Sequence, residues 1–226
     1  MHGYDAHFIM QEIGKIGKEK NLGINCIPNN MERYMACKQG NSLAFLDSFQ
    51  FMSSGLDRLA ANLPEDKYEY TSGVFKKEQL ALMEKKGVYP SDFMDSFQKF
   101  DYKQLPTKDE FFGILTQEGI TNEQYQHAQQ VWDTFKMKSM GEYHDLYLKS
   151  DVLLLADVFE NFRSTYLQYY KLDPAYYFTS PALAGVQCLV KLMNSWNFSV
   201  NSHLLKYVSL CNDLRTNLLS NHADDT

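Results

Sequence analysis

Residues 140–170 read MGEYHDLYLKSDVLLLADVFENFRSTYLQYY, and the fold turns on that stretch. The spacing of its apolar residues predicts one long helix from Met140 to Tyr170. Tyr147 and Asp151 stand four positions apart, so both project from one face, a turn from each other. The same line continues through Leu154, Val158 and Phe162, which are apolar. Asp151 therefore heads a seam that should be buried, and a buried carboxylate must be paired, hydrogen-bonded or bound to a metal. On spacing alone, a salt bridge or the exposed end of the seam would serve Asp151 as well, with Tyr147 only packing.

Upstream of the long helix, Asn122 to Phe135 places Tyr125, Ala128, Val131, Trp132 and Phe135 on one side, and Lys108 to Gln117 also reads as helix. Residues 64–107 are rich in Lys, Asp, Tyr and Pro. They read as a surface excursion with one helix at Lys77 to Lys86. A short helix is expected from Leu56 to Leu63, stopped by Pro64. From Gly23 to Ser48 the texture changes to three extended runs, Ile24 to Ile27, Arg33 to Cys37 and Leu43 to Asp47. Turn-like Pro28-Asn29-Asn30 and Lys38-Gln39-Gly40-Asn41 separate them, which predicts an antiparallel meander. Residues Ala6 to Lys18 form a further helix, with Asp5 where a capping carboxylate would sit. Downstream, Pro174 and Pro181 bracket Tyr176-Tyr177-Phe178 before a helix from Ala182 to Met193. After Trp196 no pattern is legible.

The 226 residues are 44% hydrophobic and carry a net charge of −6, which fits a globular unit and excludes a polyelectrolyte or a strongly basic nucleic-acid arm. No run suits a membrane span, and the opening residues are not expected to act as a signal peptide. The acidic excess lies in residues 109–161, with 10 acidic and 3 basic side chains. Such a stretch is either a solvated helix face or a source of oxygen ligands for hard divalent cations. Cys26, Cys37, Cys188 and Cys211 lack zinc-type spacing and are expected to be reduced thiols in an intracellular protein. The six histidines share no metal-binding spacing and suggest no role.

Three stretches change the reading of Asp5 and Asp151: Gly3-Tyr4-Asp5-Ala6-His7-Phe8-Ile9, Leu46-Asp47-Ser48-Phe49-Gln50-Phe51-Met52, and Tyr143-His144-Asp145-Leu146-Tyr147-Leu148-Lys149-Ser150-Asp151-Val152. In this order they resemble the organellar, viral and transposon branch of family B DNA polymerases, the protein-primed type. The resemblance runs on through Lys86-Gly87-Val88-Tyr89-Pro90 and Leu172-Asp173-Pro174-Ala175-Tyr176-Tyr177, and so covers roughly residues 1–185.

That resemblance implies an α+β chain in which residues 1–171 are a partial ribonuclease H-like 3′–5′ exonuclease domain and 172–226 begin the link toward a polymerase domain. Four carboxylates in such domains hold two divalent ions, Mg2+ or Mn2+, about 4 Å apart. Asp5 looks like the metal carboxylate of the second exonuclease motif. Asp151 looks like that of the third, with Tyr147 orienting the attacking water. Ser48 and Phe49 are similar to the motif that grips single-stranded DNA, with Phe49 where leucine is usual. Single-stranded or primer-template DNA and a terminal priming protein are the implied partners. The first exonuclease motif, Asp-x-Glu, and the palm motifs Ser-Leu-Tyr-Pro and Asp-Thr-Asp do not occur in these residues. By themselves these residues are therefore expected to be inactive as a polymerase and deficient as a nuclease. The alternative is a domesticated, non-catalytic module that binds DNA or protein, and Lys67, Lys76, Lys77, Lys85 and Lys86 are its candidate patch.

Overall fold

Strand β1, Ile24–Asn30, pairs antiparallel with β2, Arg33–Gln39, and β2 pairs with β3, Leu43–Leu46, giving a three-stranded meander in the order β1-β2-β3. The ladder slips at Pro28, which has no N–H to give. The computed structural model describes residues 5–20, 22–30, 33–39 and 43–195. Gly3, Tyr4, Gly40, Asn41, Cys211 and the tail after Ser195 lie outside the described residues, as do the side chains of Asp5 and His7. Among the described residues the chain is α+β, with seven α-helices and this one sheet. No described helix is long and apolar enough to cross a membrane.

The chain divides into two units, residues 1–53 with 165–226, and residues 54–164. In the first, helix α1, Asp5–Lys20, lies against the sheet through buried Ile13. Gly17 allows the approach, because a Cβ there would stand 2.8 Å from Ile24 Cδ1. Cys26 and Cys37 face each other directly across β1 and β2 with Cα atoms 4.2 Å apart, and they are joined as a disulfide. This corrects the expectation of reduced thiols: the register places both Cβ atoms side by side, which spacing along the chain does not reveal. Met10 Sδ lies 3.0 Å from Cys37 Sγ and 3.7 Å from Cys26 Sγ. The bonded sulfurs have no proton to donate, so these are packing contacts. Cys188 is a free, exposed thiol.

The second unit is helical. It holds α2, Leu56–Ala61, α3, Glu69–Val74, α4, Lys77–Met83, α5, Asn122–Thr134, and α6, Met140–Tyr170, as far as Ser164. Helix α7, Ser180–Ser195, belongs to the first unit. Phe75, Met83, Phe111, Ala128, Val131, Met140 and Tyr143 form one buried cluster. Thr121 and Gln124 cap α5 reciprocally, Thr121 Oγ1 accepting from Gln124 N at 3.2 Å and Gln124 Oε1 accepting from Thr121 N at 2.8 Å.

Residues 108–117 are not the expected helix. A 3-10 turn spans Lys108–Phe111, and Gly113 then pairs with Glu118 in an isolated antiparallel bridge, with Gln117 at φ 55°. Leu115 is 96% exposed, so a helix here would have had no apolar face to bury.

Helix α3 has only six residues and its start is held from far away. The carboxylate of Asp157, 1% exposed on α6, accepts from Tyr70 N at 2.7 Å, Thr71 N at 3.0 Å and Thr71 Oγ1 at 2.6 Å. Asp157 thereby acts as a cap supplied by another helix. Removing it leaves buried donors without a partner, so Asp157→Ala should lower unfolding stability by about 3 kcal/mol. The exposed control Leu148→Ala should change it by less than about 0.5 kcal/mol in the same urea titration.

Candidate functional site

Along α6, Leu154 and Val158 are buried and Tyr147 and Asp151 are half-buried at the head of the same line, as the periodicity predicts. The segment Lys86-Gly87-Val88-Tyr89-Pro90 runs beside this face and is fixed by it. Tyr143 Oη donates to Val88 O at 2.7 Å, and His144 Nδ1 lies 2.7 Å from Tyr89 Oη. The Tyr89 and Tyr147 rings stack with centroids 4.8 Å apart and planes 20° from parallel. Gly87 suits this packing, since a Cβ on it would press on Tyr147 Cδ2 at 3.0 Å.

The electrostatics follow from burial. Desolvation first, then the charge of Asp151, pushes the Tyr147 hydroxyl up to about 12, so Tyr147 keeps its proton throughout the neutral range. Desolvation raises the Asp151 carboxyl above its ordinary value, although the Tyr147 hydroxyl and the Lys86 charge pull it down. Asp151 Oδ1 is buried with no hydrogen-bond partner. Tyr143 is shifted well upward, chiefly by burial.

Around this face opens a cleft of about 560 Å3, lined by Lys85, Lys86, Tyr89, Glu123, His127 and Tyr147 among others. His127 also borders a water-sized cavity of about 10 Å3 behind Tyr147 and Ser150. Burial, then the charge of Lys85, holds its imidazole below the ordinary range. Periodicity placed His127 on α5 but gave it no role, and only the cleft reveals its position.

The other predicted residues fall in the first unit. Asp5 is the first residue of α1, and its side chain is outside the described residues. Ser48 and Phe49 lie together in a 3-10 turn, Ser48–Gln50, where Asp47 Oδ1 accepts from Phe49 N at 3.1 Å. Ser180 Oγ, at the start of α7, ties that turn down by donating to Gln50 O at 3.1 Å and Phe51 O at 3.0 Å. Phe49 is 45% exposed. Tyr147 and Asp151 are thus brought together in one unit and Ser48 and Phe49 in the other.

Divalent ions need several oxygen ligands. Among the described residues no three His, Cys, Asp or Glu side chains converge in a way that would hold a metal ion. Asp151 offers one orphaned carboxylate oxygen, which is less than a metal pair requires, so these residues by themselves do not fit a two-metal centre.

The raised pKa of Asp151 has a testable sign. Its ionised form costs stability at neutral pH, and protonation removes that cost as pH falls through the raised pKa toward the ordinary 3.8. Asp151→Asn should therefore melt higher than the parent at pH 7, with the difference shrinking toward pH 4. A variant melting lower than the parent at pH 7 would contradict the assignment. Comparison with protein-family models, with curated proteins and with solved structures returned no match.

Proposed function

We propose that the chain is a segment of the ribonuclease H-like 3′–5′ exonuclease region of a family B DNA polymerase of the organellar, viral or transposon type. The observation that carries this reading is Tyr147 and Asp151 on one face of α6, with Asp151 presenting a buried, unpartnered oxygen. The order of the motifs from Gly3-Tyr4-Asp5 through Ser48-Phe49 to Tyr147-x-x-x-Asp151 supports it. So does the α+β arrangement, with a helix beginning at Asp5 and a meander leading to the Ser48 turn.

In this reading the substrate is the frayed 3′ end of a DNA strand, held by the Ser48 hydroxyl and the Phe49 ring. The bound ions, Mg2+ or Mn2+, would supply an activated water and charge stabilisation at the leaving oxygen. By the resemblance, Asp5 and Asp151 would each be one of the four carboxylates such a pair needs, and an Asp-x-Glu would supply the other two. Tyr147, protonated at neutral pH, orients a water by hydrogen bonding and does not abstract its proton. Without Asp-x-Glu and without palm motifs, these residues alone neither polymerise nor degrade DNA efficiently.

The transcript around the coding frame tests the reading directly. It should encode Asp-x-Glu upstream, and Ser-Leu-Tyr-Pro and Asp-Thr-Asp downstream; an intact transcript lacking all three would overturn it. The chain extended by those upstream residues should shorten 3′-labelled single-stranded DNA in Mg2+. Asp151→Ala should abolish that activity, and Tyr147→Phe should reduce it about 10- to 100-fold, the loss typical of a group that orients through hydrogen bonding.

A further inference from the structure

We propose that Cys26, Cys37 and Met10 form a three-sulfur site for one Cu(I) ion, open to the metal when the Cys26–Cys37 bond is reduced. The site lies in the first unit and stands apart from the exonuclease reading.

Strand register and one helix face bring the sulfurs together. Cys26 and Cys37 are directly opposed on β1 and β2, so both side chains leave the same face of the sheet. On α1, Met10, Ile13 and Gly17 follow one another at spacings of three and four, which puts them on one side of the helix. Ile13 is buried and a Cβ on Gly17 would press on Ile24, so this is the side that meets the sheet. Met10 therefore reaches the cysteine pair, with Sδ 3.0 Å from Cys37 Sγ and 3.7 Å from Cys26 Sγ. A disulfide needs no third sulfur, and an aliphatic side chain would cover it as well. Cys37 is 1% exposed, and Cys26 and Met10 are half-buried, so an ion held among the three is largely screened from water.

The donor set selects the metal. Thiolates and a thioether are soft ligands that suit Cu(I), whereas Mg2+ and Ca2+ require oxygen and structural zinc takes four ligands. With metal–sulfur bonds of about 2.3 Å, three sulfurs around one ion stand about 4 Å apart. The Met10 separations are already near that, so the main adjustment is for the cysteine sulfurs to part by turning about their Cα–Cβ bonds. A dithiol reductant balances the opening step: it passes two electrons to the Cys26–Cys37 bond, closes its own disulfide, and gives its two protons to the cysteine sulfurs. Cu(I) then displaces both protons, keeps its oxidation state, and binds the two thiolates and Met10 Sδ. The disulfide and the ion exclude each other, because both use the same two sulfurs.

The test uses the whole chain carrying Cys188→Ser and Cys211→Ser, so that Cys26 and Cys37 are its only thiols once reduced. It is reduced with dithiothreitol, freed of the reagent without air, and titrated with Cu(I) against bathocuproine disulfonate as competing chelator. The reduced chain should take one ion, with circular dichroism matching the disulfide form, and the unreduced chain should take none. X-ray absorption at the copper edge should show three sulfur neighbours. Met10→Leu, which nearly conserves side-chain volume, should lower the affinity about tenfold, a difference of about 1.4 kcal/mol, and leave two sulfur neighbours. Cys37→Ser should retain no copper against the chelator. Unchanged affinity in Met10→Leu, equal uptake by the unreduced chain, Zn2+ held in preference to Cu(I), or loss of the fold on reduction would each overturn the site.

Discussion

The bond from the Tyr143 hydroxyl to the Val88 carbonyl fixes the segment that everything at the cleft depends on. A phenol buried beside helix core must satisfy its hydroxyl, and the neighbouring chain offers a carbonyl to it. Once Val88 is held, Tyr89 is brought over Tyr147, its hydroxyl meets His144, and Gly87 passes close to the Tyr147 ring. Tyr143, His144 and Tyr147, on one stretch of α6, thus all contact this irregular segment. Lys85 and Lys86 reach the cleft because the residues that follow them are pinned.

The same burial sets the ionisation of the face. Tyr147 and Asp151 sit one turn apart where solvent is partly excluded: burial and the Asp151 charge hold Tyr147 neutral, whereas burial raises Asp151 and the Tyr147 hydroxyl pulls it back down. Asp151 Oδ1 is buried without a hydrogen-bond partner beside a phenol that keeps its proton. The contrast is Asp157, two turns further along, whose carboxylate is fully satisfied by three donors. Two aspartates on one helix therefore differ in role because of what faces them.

Period and punctuation made much of this legible. Met140 and Tyr170 bound α6 as its apolar spacing predicts, and the three strand runs pair as a meander. The Tyr147 and Asp151 pair was visible because helical spacing alone places them together. What stayed hidden required knowledge of distant neighbours. The capping signal of α3 lies in Asp157, far along the chain, and the Cys26–Cys37 bond depends on strand register. Residues 108–117 carry helix-compatible residues, but Leu115 faces solvent and Gly113 interrupts the run, so packing withheld what propensity allowed. Sequence alone assigns His127 no role, because a lone histidine gains meaning only from the cavity it borders.

The cap that Asp157 gives α3 also has a kinetic side. A helix of six residues does not persist alone, since its nucleation cost exceeds what so few hydrogen bonds return. Its first turn is fully capped only when the intervening chain has closed a long loop and α6 is in place. The amides of Tyr70 and Thr71 then exchange with solvent whenever that long-range closure opens, even while α6 itself stays intact. Their exchange rates make them a local gauge of how tightly the second unit is shut.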